Sequence, residues 1–336
     1  MTSAELIDAL PDGALIIGVG GEVRAANMLA TDILGGNLRG ISAKGLIREP
    51  AFHAALSQVA ESRQPVLIDI EIAGRPIRQF SVHIAPVGLA GECLVVFRDL
   101  TREQRIERMR SDFVANASHE MRTPLAAIIG SIETLQGAAR DDAKAREKFL
   151  VTMSVQARRM KRLIDDLLTL SRIELNEHVR PSARVDLVDV IRQAQSNLKN
   201  LAQANNVVME AHEAESALVA GDADELLQVV QNLLENAIKY GGSGGRVVIA
   251  CQTQMNDGVL FVQDFGRGIA EDHIPRLTER FYRVSTQESR ARGGTGLGLA
   301  IVKHIISRHR GKLGISSQVG LGTTFTVSIP LYNSKL

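Results

Sequence analysis

Phe113-Val114-Ala115-Asn116-Ala117-Ser118-His119-Glu120-Met121-Arg122-Thr123-Pro124-Leu125 lies inside a long stretch in which Gly and Pro almost vanish. At about 100° per residue, Phe113, Ala117, Met121, Pro124, Leu125, Ile128, Ile132 and Leu135 share one face. His119 falls opposite the middle of that face, Thr123 lies one turn further along the same wet side, and Glu120 is its neighbour. The spacing predicts one helix over 101–136 that presents His119 to solvent. Pro124 removes a backbone N–H and is expected to bend the helix. A second helix is expected over 141–174, where Met160, Leu163, Leu167 and Leu170 step by three and four. Together the two make a helical hairpin. Alone it leaves a wide apolar stripe exposed, and two hairpins packed as a four-helix bundle would bury it, so a homodimer is expected.

Outside this region the texture changes. Before it, Val66, Ile68, Ile70 and Ile72 alternate with other residues, and so do Phe80, Val82 and Ile84. Gly74-Arg75-Pro76 and Gly88–Gly91 supply turns, and a helix is expected over 51–61. This reads as a small α+β domain on an antiparallel sheet. After the hairpin, helices are expected over 187–203, 224–239, 272–278 and 297–307. Strands are expected over 207–210, 247–252, 260–264, 312–317 and 323–329, a second α+β layer domain. The boundaries expected are 1–100, 101–178 and 179–336.

Composition narrows the functions. The 336 residues carry 39 Lys plus Arg against 38 Asp plus Glu, a net charge of +1, which removes the usual footprint of a nucleic-acid binder. No Trp and 4% aromatic residues weaken any base-stacking role. Cys93 and Cys251 are far apart in sequence and form no disulfide framework or cysteine-rich metal site, so a reducing, cytoplasmic compartment is expected. No apolar run approaches the roughly 18 residues of a transmembrane helix. The acidic start, Met1–Leu10, lacks the basic flank of a signal peptide.

Two further regions carry chemistry. Asp222 with Glu225 resembles a capping box opening a helix. On that helix Asn232, Asn236 and Lys239 form a polar stripe opposite the apolar face. An Asn carbonyl oxygen suits Mg²⁺, which keeps waters and phosphate oxygens as its other ligands, and Lys239 can neutralise phosphate. Asp264-Phe265-Gly266-Arg267-Gly268-Ile269 follows a strand, where an acceptor carboxylate could take the amino group of adenine and the glycines allow close backbone approach. The Asp-Phe-Gly string lacks the His-Arg-Asp loop and Gly-x-Gly-x-x-Gly that eukaryotic-type protein kinases require. Gly294-Thr295-Gly296-Leu297-Gly298-Leu299 opens a helix, and Gly-rich backbone at a helix N-terminus is an anion site. The polar run 285–293 before it reads as a lid over bound nucleotide.

These motifs, in this order, resemble those of sensor histidine kinases. The His119 stretch resembles the phosphoacceptor box, and Asn232–Tyr240 the N box. Asp264–Ile269 resembles the G1 box, with Phe265 where a small polar residue is commoner. Glu279-Arg280-Phe281-Tyr282-Arg283 resembles the F box, Gly294–Leu299 the G2 box, and Gly320–Phe325 the terminal hairpin motif. The resemblance implies a dimeric hairpin bundle and a Bergerat-type α/β sandwich that binds ATP with Mg²⁺ held at Asn236. It implies phosphorylation of His119, with Glu120 as base, and transfer to an Asp on a response-regulator receiver domain. Thr123 would place a water for phosphatase action. ATP contacts are expected from Asn232, Asn236, Lys239, Tyr240, Asp264, Gly266, Gly268, Ile269, Arg283, Thr295, Gly296, Leu297, Gly298 and Leu299. The layout is similar to the phosphate-regulon sensor branch, whose members usually carry transmembrane helices upstream, so membrane association stays open. Leu10-Pro11-Asp12-Gly13, Arg24–Asn27 and the ending Phe97–Thr101 resemble a PAS domain, which would hold haem, flavin, another small ligand or nothing. Two other readings compete: a dimeric scaffold that only binds nucleotide, and an ATPase of the gyrase or chaperone kind.

Overall fold

The period-two runs form an antiparallel sheet of β1 (Gly13–Ile17), β2 (Val23–Ala26), β3 (Val66–Ile72), β4 (Arg78–Val87) and β5 (Glu92–Asp99), in the order β2-β1-β5-β4-β3. In this computed structural model residues 3–72, 77–88, 91–213, 216–285 and 294–332 are described, and the chain divides into two units, 1–114 and 115–336. The turn expected at Gly74-Arg75-Pro76 lies outside the described residues. Inward residues Phe80, Val82, Ile84, Val95 and Phe97 pack with Phe52, Ala55 and Val59 of helix α4 (Pro50–Ser62). Cys93 belongs to this core. Helices α1 (Ser3–Asp8), α2 (Met28–Leu34) and α3 (Ala43–Leu46) complete the unit. Asn27 ties it together while 3% exposed. Its Oδ1 accepts from Ala14 N and Ala30 N, capping α2, and its amide donates to Ile7 O and Asp12 O. A buried amide with every group satisfied fixes α1, β1 and α2 against one another.

The two long helices are α5 (Thr101–Gln136) and α6 (Ala143–Leu175). Helix α5 continues through Pro124, and Asp142 caps α6 by accepting from Lys144 N and Ala145 N. The seam expected on α6 is partly covered within the single chain: Leu163 and Leu170 are buried, and α6 packs against α9 (Gly298–Arg308). The apolar stripe left in solvent keeps Leu125 and Ile132 of the expected face on α5 and is displaced around α6. It comprises Leu125, Ile129 and Ile132 on α5 and Val151, Val155, Ile164 and Leu168 on α6.

The second sheet joins β7 (Val208–Glu213), β9 (Arg246–Gln254), β10 (Asp257–Asp264), β11 (Lys312–Gln318) and β12 (Gly322–Pro330). Their order is β11-β12-β10-β9-β7, with only β7–β9 parallel. Helix α8 (Ala223–Gly241) lays Leu226, Val230, Leu233, Leu234, Ala237 and Ile238 on β9, β10 and β12, flanked by α7 (Leu187–Ala204) and α9. Two expectations need correction. The helix expected over 272–278 is a 3₁₀ segment, Glu271–Arg276, because Pro275 inside it cannot supply an α-helical N–H. The short strands β6 (Ala183–Asp186) and β8 (Leu218–Gly221) pair with each other; at four residues each they carry too little alternation to be read from sequence.

Candidate functional site

A cavity of about 320 Å³ opens between α8, the end of β10, the loop before α9 and the side of α6. Helix α8 starts where Asp222 Oδ1 accepts from Asp224 N and Glu225 N. The reciprocal half of the expected capping box is absent: the Glu225 carboxylate pairs with Arg308, and Asp222 N donates to His309 Nε2 at 3.0 Å. One turn after another, α8 then presents Asn232, Glu235, Asn236, Lys239 and Tyr240 to the cavity. Lys239 Nζ donates to Glu235 Oε2 at 2.6 Å, an i, i+4 pair that aims the ammonium along the cavity wall.

Asp264 sits at the end of β10, 6% exposed, with Oδ1 accepting from Gly266 N at 3.0 Å. Burial raises its pKa, and backbone N–H groups of Gly266 and Thr323 oppose the rise. A buried carboxylate with free acceptor capacity suits an exocyclic amino group. The glycines beside it serve the protein's own packing. A Cβ at Gly266 would meet Gly241 Cα at 2.6 Å, and one at Gly268, whose φ is +67°, would meet Gln318 O at 2.0 Å. Ile269 N donates to Ser317 Oγ and Gly320 N to Arg267 O, so the β11–β12 turn pins this loop.

The opposite rim joins two motifs by backbone. Phe281 N donates to Gly296 O at 2.8 Å, Phe281 has φ +63°, and a Cβ on Gly296 would meet Phe281 Cα at 2.9 Å. Tyr282 is held by a 2.6 Å hydrogen bond to His273 Nδ1 and by the Arg276 guanidinium over its ring. The expected lid lies, from residue 286 to 293, outside the described residues. All the expected nucleotide contacts line the cavity except Gly266 and Leu297. Gly266 is buried, and Leu297 is fully buried as the residue before α9. The lining carries Arg162, Lys239, Arg267 and Arg283 against Asp166, Glu235 and Asp264. One cation in excess suits an anionic ligand that brings its own counter-cation.

The hairpin reaches this cavity. Arg162 and Asp166 of α6 line it, and Thr295 Oγ1 donates to Asp166 Oδ2 at 2.7 Å. Burial raises the Asp166 pKa, opposed by the Thr295 bond and by Arg162. Arg280 pairs with Glu174 of α6 at 2.5 Å. Arg283, its side chain 5% exposed, gives Nη2 to Glu120 Oε2 at 3.1 Å and to Gly294 O at 2.9 Å. Its Nε is buried without a hydrogen-bond partner. Arg159 Nη2 also reaches Glu120 Oε2, at 2.9 Å. The carboxylate expected to serve the histidine is thus clasped by two guanidiniums. His119 is exposed, as expected, and Thr123 Oγ1 donates to His119 O at 3.3 Å.

Residues 109–176 match the His Kinase A (phospho-acceptor) domain family, and residues 221–333 match the histidine kinase-, DNA gyrase B- and HSP90-like ATPase family. A curated relative, the phosphate regulon sensor protein PhoR of Pseudomonas aeruginosa, is 37% identical over 321 residues, 95% of this chain and 72% of that protein. The chain belongs to the sensor histidine kinases. The kinase is also 30% identical over 335 residues to the sensor protein SrrB of Staphylococcus aureus, spanning 97% of this chain and 55% of that protein. Among solved structures, the Acinetobacter baumannii histidine kinase AdeS matches 64% of the kinase and 98% of its own chain, at TM-score 0.51 and 27% identity. Histidine kinase ThkA, solved in complex with response regulator protein TrrA, covers 98% of both chains at TM-score 0.51 and 20% identity, a likeness of fold. The kinase therefore carries an ATP-binding domain of this type behind a phospho-acceptor hairpin. No helix among the described residues is long and apolar enough to cross a membrane. Sequence reasoning passed over Arg159, Arg162, Asp166 and Glu235. The acid and arginines on α6 look like wet-face residues, and only the fold brings Arg162 and Asp166 to the cavity and Arg159 to Glu120. Glu235 carried a usable signal, since it stands four residues before Lys239.

Proposed function

We propose that the kinase binds Mg²⁺·ATP in this cavity, phosphorylates His119 and passes the phosphoryl group to an Asp of a response-regulator receiver domain. The observation that carries this reading is the Arg283–Glu120 ion pair at 3.1 Å, which joins the rim of the cavity to the residue next to His119. In the transfer, a ring nitrogen of His119 attacks the γ-phosphorus, the bond to the ADP oxygen breaks, and the proton of the other ring nitrogen goes to Glu120. Asp264 receives the adenine amino group. Lys239 and Arg283, the latter with its spare Nε–H, neutralise the phosphates, so catalysis is positioning and charge stabilisation. Bound Mg²⁺ would neutralise phosphate charge, and the Asn236 amide oxygen in the lining is of the donor class it prefers.

The exposed stripe through Leu125, Ile129, Ile132, Val155 and Leu168 supports a homodimer closed as a four-helix bundle. Residues 1–100 serve as a PAS-like sensor, 101–178 as the phosphotransfer hairpin and 179–336 as the catalytic domain. Thr123, one turn from His119, supports a phosphatase activity in a second arrangement of the hairpin, and the Pseudomonas relative supports phosphate-starvation signalling. The test is incubation with γ-labelled ATP. The expected label is acid-labile and base-stable, and absent from His119→Gln; equal labelling of that variant sinks the reading.

A further inference from the structure

We propose that Arg159 is a positioning residue for the phosphoryl transfer, holding Glu120 in place when nucleotide draws Arg283 away. This rests on the reading of His119 as acceptor. Glu120 Oε2 receives two guanidiniums, Arg159 Nη2 at 2.9 Å and Arg283 Nη2 at 3.1 Å, and all three side chains are largely buried, 13%, 5% and 14% exposed for Arg159, Arg283 and Glu120. The two arginines differ in where they belong. Arg283 lines the nucleotide cavity and its Nε–H is buried without a hydrogen-bond partner, so a polyphosphate competes with Glu120 for its guanidinium. Arg159 stands on α6, within the hairpin that carries Glu120 on α5, and does not line the cavity.

The consequence is a hand-over. Before nucleotide binds, Glu120 is shared between the hairpin and the ATP domain. Once phosphate takes Arg283, Arg159 still clasps Glu120 from within the hairpin. A carboxylate that must receive the ring proton as the His119–phosphorus bond forms cannot swing freely, because misplacement by about 1 Å can cost such a step roughly a hundredfold. Arg159 therefore acts through Glu120 and touches neither ATP nor the reacting atoms. A planar guanidinium does this better than an ammonium on a flexible stem.

The test is a double-mutant cycle on the full chain, reading the initial rate of His119 labelling at saturating ATP. Arg159→Ala is expected to slow labelling at least fivefold with the KM for ATP within twofold of wild type, and Arg159→Lys to recover part of the loss. Glu120→Asp keeps a carboxylate but shortens its reach. In that background Arg159→Ala is expected to cost less than twofold. An equal loss in both backgrounds, or no loss in either, overturns the proposal. If the wild-type chain does not label at His119, the kinase reading itself fails, a separate outcome.

Discussion

Replacing His309 tests whether a buried, uncharged ring holds the nucleotide helices together. The ring is 0% exposed. Its Nε2 accepts from Asp222 N at 3.0 Å and its Nδ1 lies 2.8 Å from Ile305 O, which makes it the neutral tautomer with the proton on Nδ1. It thereby joins the start of α8, which carries Asn232 and Asn236, to the end of α9, which follows the glycine box. His309→Ala leaves the Asp222 N–H buried and unsatisfied, about 1–3 kcal/mol. The lost packing adds about 2 kcal/mol or more, so the expected loss at pH 7.5 is about 3–5 kcal/mol. Burial is the largest cause and holds the folded pKa below the ordinary 6.5. Arg308 and Arg180 push the same way, and the Ile305 carbonyl and Asp222 oppose. Below about pH 6.5 the unfolded chain therefore binds a proton that the folded ring refuses. Stability from this residue is complete above that pH and is lost as the pH falls through it. By pH 5.5 wild type should lose up to about 1.4 kcal/mol that the Ala variant does not. The assay is urea unfolding of both proteins followed by circular dichroism at pH 7.5, 6.5 and 5.5. Taking the difference between the proteins cancels the carboxylates and His304, which both share. A gap that widens on acidification refutes the reasoning. It would mean that the ring is charged in the fold and paired with Glu225, whose Oε2 stands 3.9 Å from Nδ1.

Four further outcomes are expected. Asp166→Ala frees Thr295 from its 2.7 Å bond to α6, so affinity for a non-hydrolysable ATP analogue should tighten about fivefold, the worth of roughly 1 kcal/mol; isothermal calorimetry that finds weaker binding would instead make Asp166 a ligand contact. Gly268→Ala places a Cβ 2.0 Å from Gln318 O at φ +67° and should abolish nucleotide binding. Gly320→Ala, at φ +84° with open space around its Cβ, should cost about 1 kcal/mol of stability and leave affinity intact. Leu168→Asp, at a position 52% exposed in the single chain, should yield a monomer by light scattering with its helix content unchanged, and a dimer of wild-type strength would locate the interface elsewhere.

The elements that could be read in advance are those with a strong local period. Helix α8 shows its face in Leu226, Val230, Leu233 and Ile238, and β12 alternates through Thr323 to Ile329, so both were placed to within a residue or two. The cavity followed because its residues cluster in short motifs: the stripe on α8, the Asp264 loop and the glycine box each carry their own chemistry. The glycines of the Asp264 loop allow close backbone approach, and the structure shows which backbone approaches within the chain. At Gly266 and Gly268 the atoms admitted are Gly241 Cα and Gln318 O. A glycine reports that something approaches closely and does not say what.

The contacts between hairpin and ATP domain were not legible for a different physical reason. Glu120 and Arg283 are 163 residues apart, and Asp166 and Thr295 are 129 apart. Periodicity assigns a charged residue to the wet face of its own helix and is silent about which surface that face will meet. The displaced stripe on α6 makes the same point. Met160, Leu163, Leu167 and Leu170 give the cleanest heptad on paper, but part of it is used inside the chain, where α6 meets α9. The less regular set, Val151, Val155, Ile164 and Leu168, is what remains for a second copy. One helix therefore serves two interfaces. Rotation or displacement of α6 that improves its fit in the bundle must alter its hold on the ATP domain through Asp166 and Glu174. A two-state element of this kind can couple a bundle rearrangement to nucleotide access without any contact to the nucleotide itself.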